Sequence, residues 1–181
     1  HLMVMNAGSG FWHAEETAPD DPPLRMLQIF VRPHSLELPP GIQHEPISDP
    51  TPNAWRHLFG PEASDAPLYV RNEVHFYDCR LDADARVRLP SRSDWDTYVY
   101  VFEGTVTADD GEVTLGHTES GLVTAGEEVT LTATEDSGIV SFCIDPNAPN
   151  TRRGNTGRSR CRGRSLKGCH SLRPNALCRT T

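Results

Sequence analysis

The sequence predicts an all-β protein built from short antiparallel strands. Two observations carry that expectation. Residues alternate between apolar and polar with a period of two along Val74-His75-Phe76-Tyr77-Asp78-Cys79-Arg80-Leu81 and again along Ala85-Arg86-Val87-Arg88-Leu89, as they do when successive side chains point to opposite faces of a sheet. Fifteen prolines and fourteen glycines, with a hydrophobic content of 36%, divide the 181 residues into many turns and short segments, which favours strands over long helices.

From the N-terminus, Leu2 to Met5 is a short apolar run and Asn6-Ala7-Gly8-Ser9-Gly10 is a cluster of turn formers. The reading is strand, turn, strand. His13 and Glu15 fall two apart in the second strand and project from one face, where an imidazole and a carboxylate can share a divalent metal. On spacing alone such a pair is more often two solvated or hydrogen-bonded neighbours. Residues 17–24 form a loop, and Met26 to Val31 a further strand that Pro33 ends.

Met5-Asn6-Ala7-Gly8-Ser9-Gly10-Phe11-Trp12-His13-Ala14-Glu15 resembles a pirin-family segment of the general form Met-Thr-Ala-Gly-x-Gly-Ile-x-His-Ser-Glu. Gln28-Ile29-Phe30-Val31, followed by Pro33, is similar to the strand that comes next in that family, usually Gln-Leu-Trp-Val. The resemblance covers about residues 2–150 and implies a bicupin, two antiparallel β-barrels of jelly-roll type, as in pirins and the related bacterial quercetin 2,3-dioxygenases. In the family the first barrel holds one metal with three histidines and one glutamate; the last two ligands carry over by position to His13 and Glu15. The other two lie upstream in a His-x-His motif, and no His-x-His occurs in this sequence. The resemblance therefore implies an N-terminally truncated chain with an incomplete first barrel, whose metal binding is weak because two protein ligands leave an ion largely to water. The implied domains are residues 1–33, the C-terminal part of the first, metal-binding cupin; 34–53, a proline-rich crossover; 54–146, a second cupin with no metal; and 147–181, a basic, disordered tail.

The crossover is expected to be extended, since residues that precede proline avoid the α region. His34 and His44 within it read as exposed loop residues. Trp55 to Phe59 and Leu68 to Val70 open the next set of strands, followed by the two alternating runs, joined by an Asp82-Ala83-Asp84 turn. Thr97-Tyr98-Val99-Tyr100-Val101-Phe102 is the richest β segment, and Val106 and Val113 flank a hairpin turned at Asp110-Gly111. Residues 121–133 and 138–144 complete the set. Tyr98-Val99-x-Val101-x-x-Gly104-x-Val106 and Gly126-x-x-Val129-x-Leu131 resemble the second cupin of the same family. Where general cupin ligands would fall, this chain offers Arg92, Asp94, Trp95 and Asp96 and no histidine, so the second barrel reads as structural. His117 and Glu119 fall in an exposed loop and are assigned no site.

The net charge of -8 hides two unlike pieces. Residues 151–181 carry eight Arg and one Lys with no acid, whereas the first 150 residues hold eight basic against 25 acidic side chains. An acidic body repels phosphate backbones, so direct nucleic-acid binding by the barrels is not expected. The tail is either a basic arm for acidic partners or a disordered segment, and its composition favours disorder. No run of eighteen apolar residues and no signal sequence is present, which places the chain off the membrane and, by default, in the cytoplasm. Cys79 and Cys143 lie in apolar strand patterns and read as small core residues, while Cys161, Cys169 and Cys178 belong to the tail. The absence of a Gly-x-Ser-x-Gly elbow, a P-loop and a Rossmann glycine pattern leaves serine hydrolysis and nucleotide chemistry without support.

The resemblance implies an oxidoreductase, a metal-dependent flavonol dioxygenase of the quercetin 2,3-dioxygenase type that cleaves the ring with O2 and is inactive in this truncated form. The implied cofactor is one divalent transition metal, iron first, with nickel, copper, manganese or zinc compatible with the same donors. Glu15 would be both ligand and general base for the flavonol hydroxyl proton, and His13 a plain ligand. Alternation puts Phe11 on the side of His13 and Trp12 opposite, one ring lining the barrel mouth and the other in the core. The implied partners are a small aromatic, flavonol-like substrate and O2. The same resemblance supports an alternative, a non-catalytic metal-binding partner of transcription regulators. A third reading is a non-functional remnant whose unpaired apolar edges promote aggregation.

Overall fold

A computed structural model describes residues 2–13, 17–23, 25–108 and 111–151, together with the backbone of 178–180. The expectation of disorder for the tail falls almost wholly outside these residues. Among them every regular element is a strand, and no helix is long and apolar enough to cross a membrane.

At the N-terminal end β1 (Leu2–Asn6) pairs antiparallel with β2 (Gly41–Glu45), Leu2 opposite Glu45 and Asn6 opposite Gly41. β2 lies inside the stretch expected to be an unpaired crossover. Pro40 and Pro46 bound it but no proline interrupts it, so its N–H groups remain free to form a ladder. The turn after β1 forms as expected, with the Gly10 N–H donating to the Ala7 carbonyl at 2.9 Å and Gly8 in the left-handed region at φ +57°. The second strand of the motif does not form over its described residues. Residues 11–13 are exposed and outside any ladder, and Trp12, at 102% exposure, is not a core ring. Met26 to Val31 is likewise unladdered, yet its alternation survives: Ile29 and Val31 pack inward while Phe30 is 70% exposed.

The rest of the chain folds as two sheets. The larger contains β3 (Arg56–Pro61), β4 (Leu68–Val70), β5 (Val74–Leu81), β7 (Asp96–Glu103), β10 (Ser120–Val123), β12 (Ser137–Ile144) and β13 (Cys178–Thr180) in the order β13-β10-β7-β12-β5-β3-β4. Its neighbours are antiparallel except the β3 and β4 pair. The smaller contains β6 (Arg86–Arg88), β8 (Val106–Ala108), β9 (Val113–Leu115) and β11 (Thr130–Ala133) in the order β6-β11-β8-β9. Over residues 56–144 the strands expected from alternation therefore form where they were read.

Period two decides which side chains face which core. One cluster joins Cys79, Leu81, Val99, Val101 and Ile139 of the larger sheet to Val106, Ala108, Leu115, Leu131 and Ala133 of the smaller. It is the interior of a two-sheet sandwich. The alternate residues Val74, Phe76 and Val140 form a second cluster on the outer face of the larger sheet, covered by Leu2, Val4, Ile29 and Val31. Cys79 and Cys143 are buried as expected, each 1% exposed. Burial pushes the Cys79 thiol up to about 11 and raises that of Cys143 as well, so both behave as small core residues.

Candidate functional site

His13 follows β1 and its glycine turn. Its imidazole is exposed and lies beside the Phe11 ring, centroids 5.2 Å apart at 35°, which agrees with the expected placement of Phe11 on the His13 side. Glu15 lies outside the described residues. His44 stands on β2 opposite Met3. His34 shares a 2.9 Å hydrogen bond between its Nδ1 and Ser35 Oγ. Among the described residues no group of three or more His, Cys, Asp or Glu side chains is arranged to hold a metal ion. The described residues alone do not assemble a metal centre, and His13 is the one motif donor whose position is defined.

His117 and Glu119 sit in the loop before β10. The Glu119 carboxylate accepts the Gly116 N–H at 2.7 Å, a turn-closing role, and the His117 ring lies near Arg25 Nη2 at 3.4 Å.

A polar group that the sequence reading missed lies inside the sandwich. The interior face of β5 carries His75 and Tyr77 before it turns apolar at Cys79 and Leu81. The register places His57 of β3 opposite Tyr77, and Ser141 and Cys143 of β12 opposite Tyr77 and His75. His75 Nδ1 and His57 Nε2 are 3.0 Å apart, sharing one proton between two rings. The His57 ring stacks on Tyr77 with centroids 4.5 Å apart at 20°, and His75 meets Trp95 at 5.7 Å. Burial, then the nearby Arg92 guanidinium, then His57 push the His75 imidazole down to about 4. Burial and Arg92 lower His57 as well, and burial raises Tyr77, an effect that the Arg92 guanidinium opposes. Near neutral pH both imidazoles are uncharged. The Cys143 thiol donates to the Pro90 carbonyl at 3.0 Å, and Thr97 Oγ1 donates to the same oxygen at 3.1 Å. The signal that could have found this group was the His75-x-Tyr77-x-Cys79 period on one strand face, which reads as a polar end to an otherwise apolar interior.

Two facing sheets of short, mostly antiparallel strands over one apolar interior, with polar side chains at one end, fit the arrangement expected of a cupin. Residues 57–143 match the family described as the quercetinase C-terminal cupin domain. A Pasteurella multocida (strain Pm70) protein, whose name proposes a quercetin 2,3-dioxygenase, is 26% identical over 133 residues, covering 71% of this chain and 54% of its own. YhhW from Escherichia coli superposes with a TM-score of 0.54 at 19% identity, covering 67% of this chain and 49% of that one. Quercetin 2,3-dioxygenase from Acinetobacter baumannii does so with a TM-score of 0.53 at 22% identity, covering 64% and 43%. The chain has a pirin-like cupin fold, and it spans about half the length of the relatives it matches.

Proposed function

We propose that this chain is part of a metal-dependent dioxygenase that cleaves flavonols with O2, in the manner named for its quercetin 2,3-dioxygenase relatives. The observation that carries the reading is the match over 133 residues to the Pasteurella multocida protein, which covers 71% of this chain. The cupin fold and the His13-Ala14-Glu15 sequence support it. A nickel(II) complex of bacterial pirin YhhW has been solved, which supports a divalent ion as the cofactor.

In this reading His13 and Glu15 supply two of the ligands. A neutral imidazole nitrogen and a carboxylate oxygen suit iron, nickel, copper, manganese or zinc, and iron is the first choice for oxygen chemistry. The ion, when bound, activates the flavonol towards O2. Glu15 accepts the flavonol hydroxyl proton, Phe11 offers a ring edge beside His13 for a flat substrate, and His13 acts only as a ligand. Proposed with these roles are a domain division at residues 1–33, 34–53, 54–146 and 147–181 and a place in the cytoplasm.

Quercetin consumption in air, followed through loss of its visible absorbance together with carbon monoxide release, tests the proposal on the protein that carries this chain. Turnover that falls at least 100-fold in both His13→Ala and Glu15→Ala supports it. Turnover unchanged in both variants, or metal bound with no turnover in the unaltered protein, overturns it; the second result would favour the non-catalytic partner of transcription regulators.

A further inference from the structure

We propose that the polar end of the sandwich interior is a second binding site, and that it takes a small aromatic carboxylate. Arg92, His57, His75, Tyr77, Trp95 and Ser141 form it, and none of them belongs to the His13 motif.

The first observation is an unpartnered hydroxyl. Ser141 is 0% exposed, and its Oγ has no hydrogen-bond partner. It lies between Ile139 and Cys143 on the interior face of β12, directly opposite Tyr77. Buried hydroxyls nearly always have a partner, and an orphan aimed into a polar group marks a place where another molecule completes the set.

Charge then selects the ligand. Arg92 lies over the Trp95 ring and acts electrostatically on Tyr77 and both imidazoles, and among the described residues no carboxylate pairs with it. Of the acids near it in sequence, Asp96 accepts the Ala125 N–H at 3.3 Å and Asp94 is exposed. A lone guanidinium beside neutral donors and acceptors attracts a carboxylate, which its planar fork can grip with two parallel bonds. A metal ion is disfavoured by the same cation and by the engagement of His57 Nε2 with His75 Nδ1.

Shape selects an aromatic body. The His57 and Tyr77 rings stack, Trp95 tilts against His75 at 45°, and Arg92 lies over the Trp95 ring at 5.3 Å. His57, Tyr77 and Trp95 are half-buried while Arg92 is exposed, so the guanidinium stands on the solvent side of the ring group.

The backbone is built to hold these groups. A Cβ on Gly60 would meet His75 Nδ1 at 2.9 Å, so only glycine leaves room for that ring beside β3. Gly126, at φ +71°, donates its N–H to the Trp95 carbonyl at 2.8 Å and lies against the Arg92 carbonyl, pinning the segment that presents both side chains.

Titration of the full 181-residue chain with benzoate, with benzyl alcohol as the neutral isostere and Zn²⁺ as the competing class, tests the proposal by calorimetry. The expected result is saturable benzoate binding, at least 10-fold tighter than benzyl alcohol, that weakens at least 10-fold in Arg92→Gln without a change in thermal midpoint. Ser141→Ala should weaken benzoate binding while leaving the unliganded midpoint unchanged or higher, since it removes an unpaired buried hydroxyl. A purely structural serine would show no effect on benzoate. The proposal is overturned by the absence of saturable benzoate binding, by equal binding in Arg92→Gln, or by Zn²⁺ that binds in place of benzoate and is lost in His57→Ala.

Discussion

At the scale of single residues, His75 makes the stability of this protein depend on pH. Its folded-state value near 4 lies below the ordinary 6.5, so the unfolded chain binds more protons between those limits and stability falls as the pH falls through that window. The groups that face it are His57, Tyr77, Cys143 and Arg92, with Asp65 acting on His57. Above pH 6.5 the contribution is fully present, and by pH 5 the loss reaches about 2 kcal/mol. Urea unfolding at pH 7.5 and pH 5 should therefore show a larger drop in the wild type than in His75→Gln, by about that amount. Equal drops would mean that His75 does not titrate as its burial implies. His13 and Glu15 could be paired from the sequence because they are two apart in it. His57 and His75 could not, because they are 18 apart and only the β3 and β5 register brings them together.

At the scale of elements, legibility followed the ladder. β5, β7 and β12 read clearly because each is paired on both sides and buries alternate residues on two cores, leaving a strong period of two. Met26 to Val31 kept the period without the pairing: it packs Ile29 and Val31 on the outer face of the larger sheet, which needs alternation but not a ladder. β2 was hidden for the opposite reason, since Gly41-Ile42-Gln43-His44-Glu45 pairs with β1 while Ile42 stays 72% exposed, so no burial pattern marks it. Between the strands, Gly126 has the clearest consequence. An alanine there would take a left-handed conformation and run into the Arg92 carbonyl, so Gly126→Ala should lower stability by about 1–3 kcal/mol, read as a shift in the urea midpoint at constant slope. An unchanged midpoint would show that the Arg92 to Trp95 segment relaxes freely.

At the scale of the whole molecule, the all-β class came from periodicity and punctuation, whereas the cupin arrangement of two sheets came from the resemblance of whole segments, because strand order leaves little local trace. The outer face of the larger sheet carries a groove of about 670 Å³ lined by Ile29, Val31, Tyr98, Tyr100, Phe142 and Ile144. The N-terminal segment that bears the motif is thereby tied to the cupin domain through apolar contacts, and His13 is attached to a folded body rather than to a free arm. The central claim is that the metal is held at the His13 and Glu15 positions and not among the interior histidines. Metal content by mass spectrometry, on protein purified without an affinity metal and equilibrated with excess Fe²⁺ or Ni²⁺, tests it most directly. The account predicts up to one ion per chain, weakly held and removed by a mild chelator, and lost in the His13→Ala, Glu15→Ala double variant but retained in His57→Ala. Metal retained by the double variant, or lost in His57→Ala instead, would contradict it.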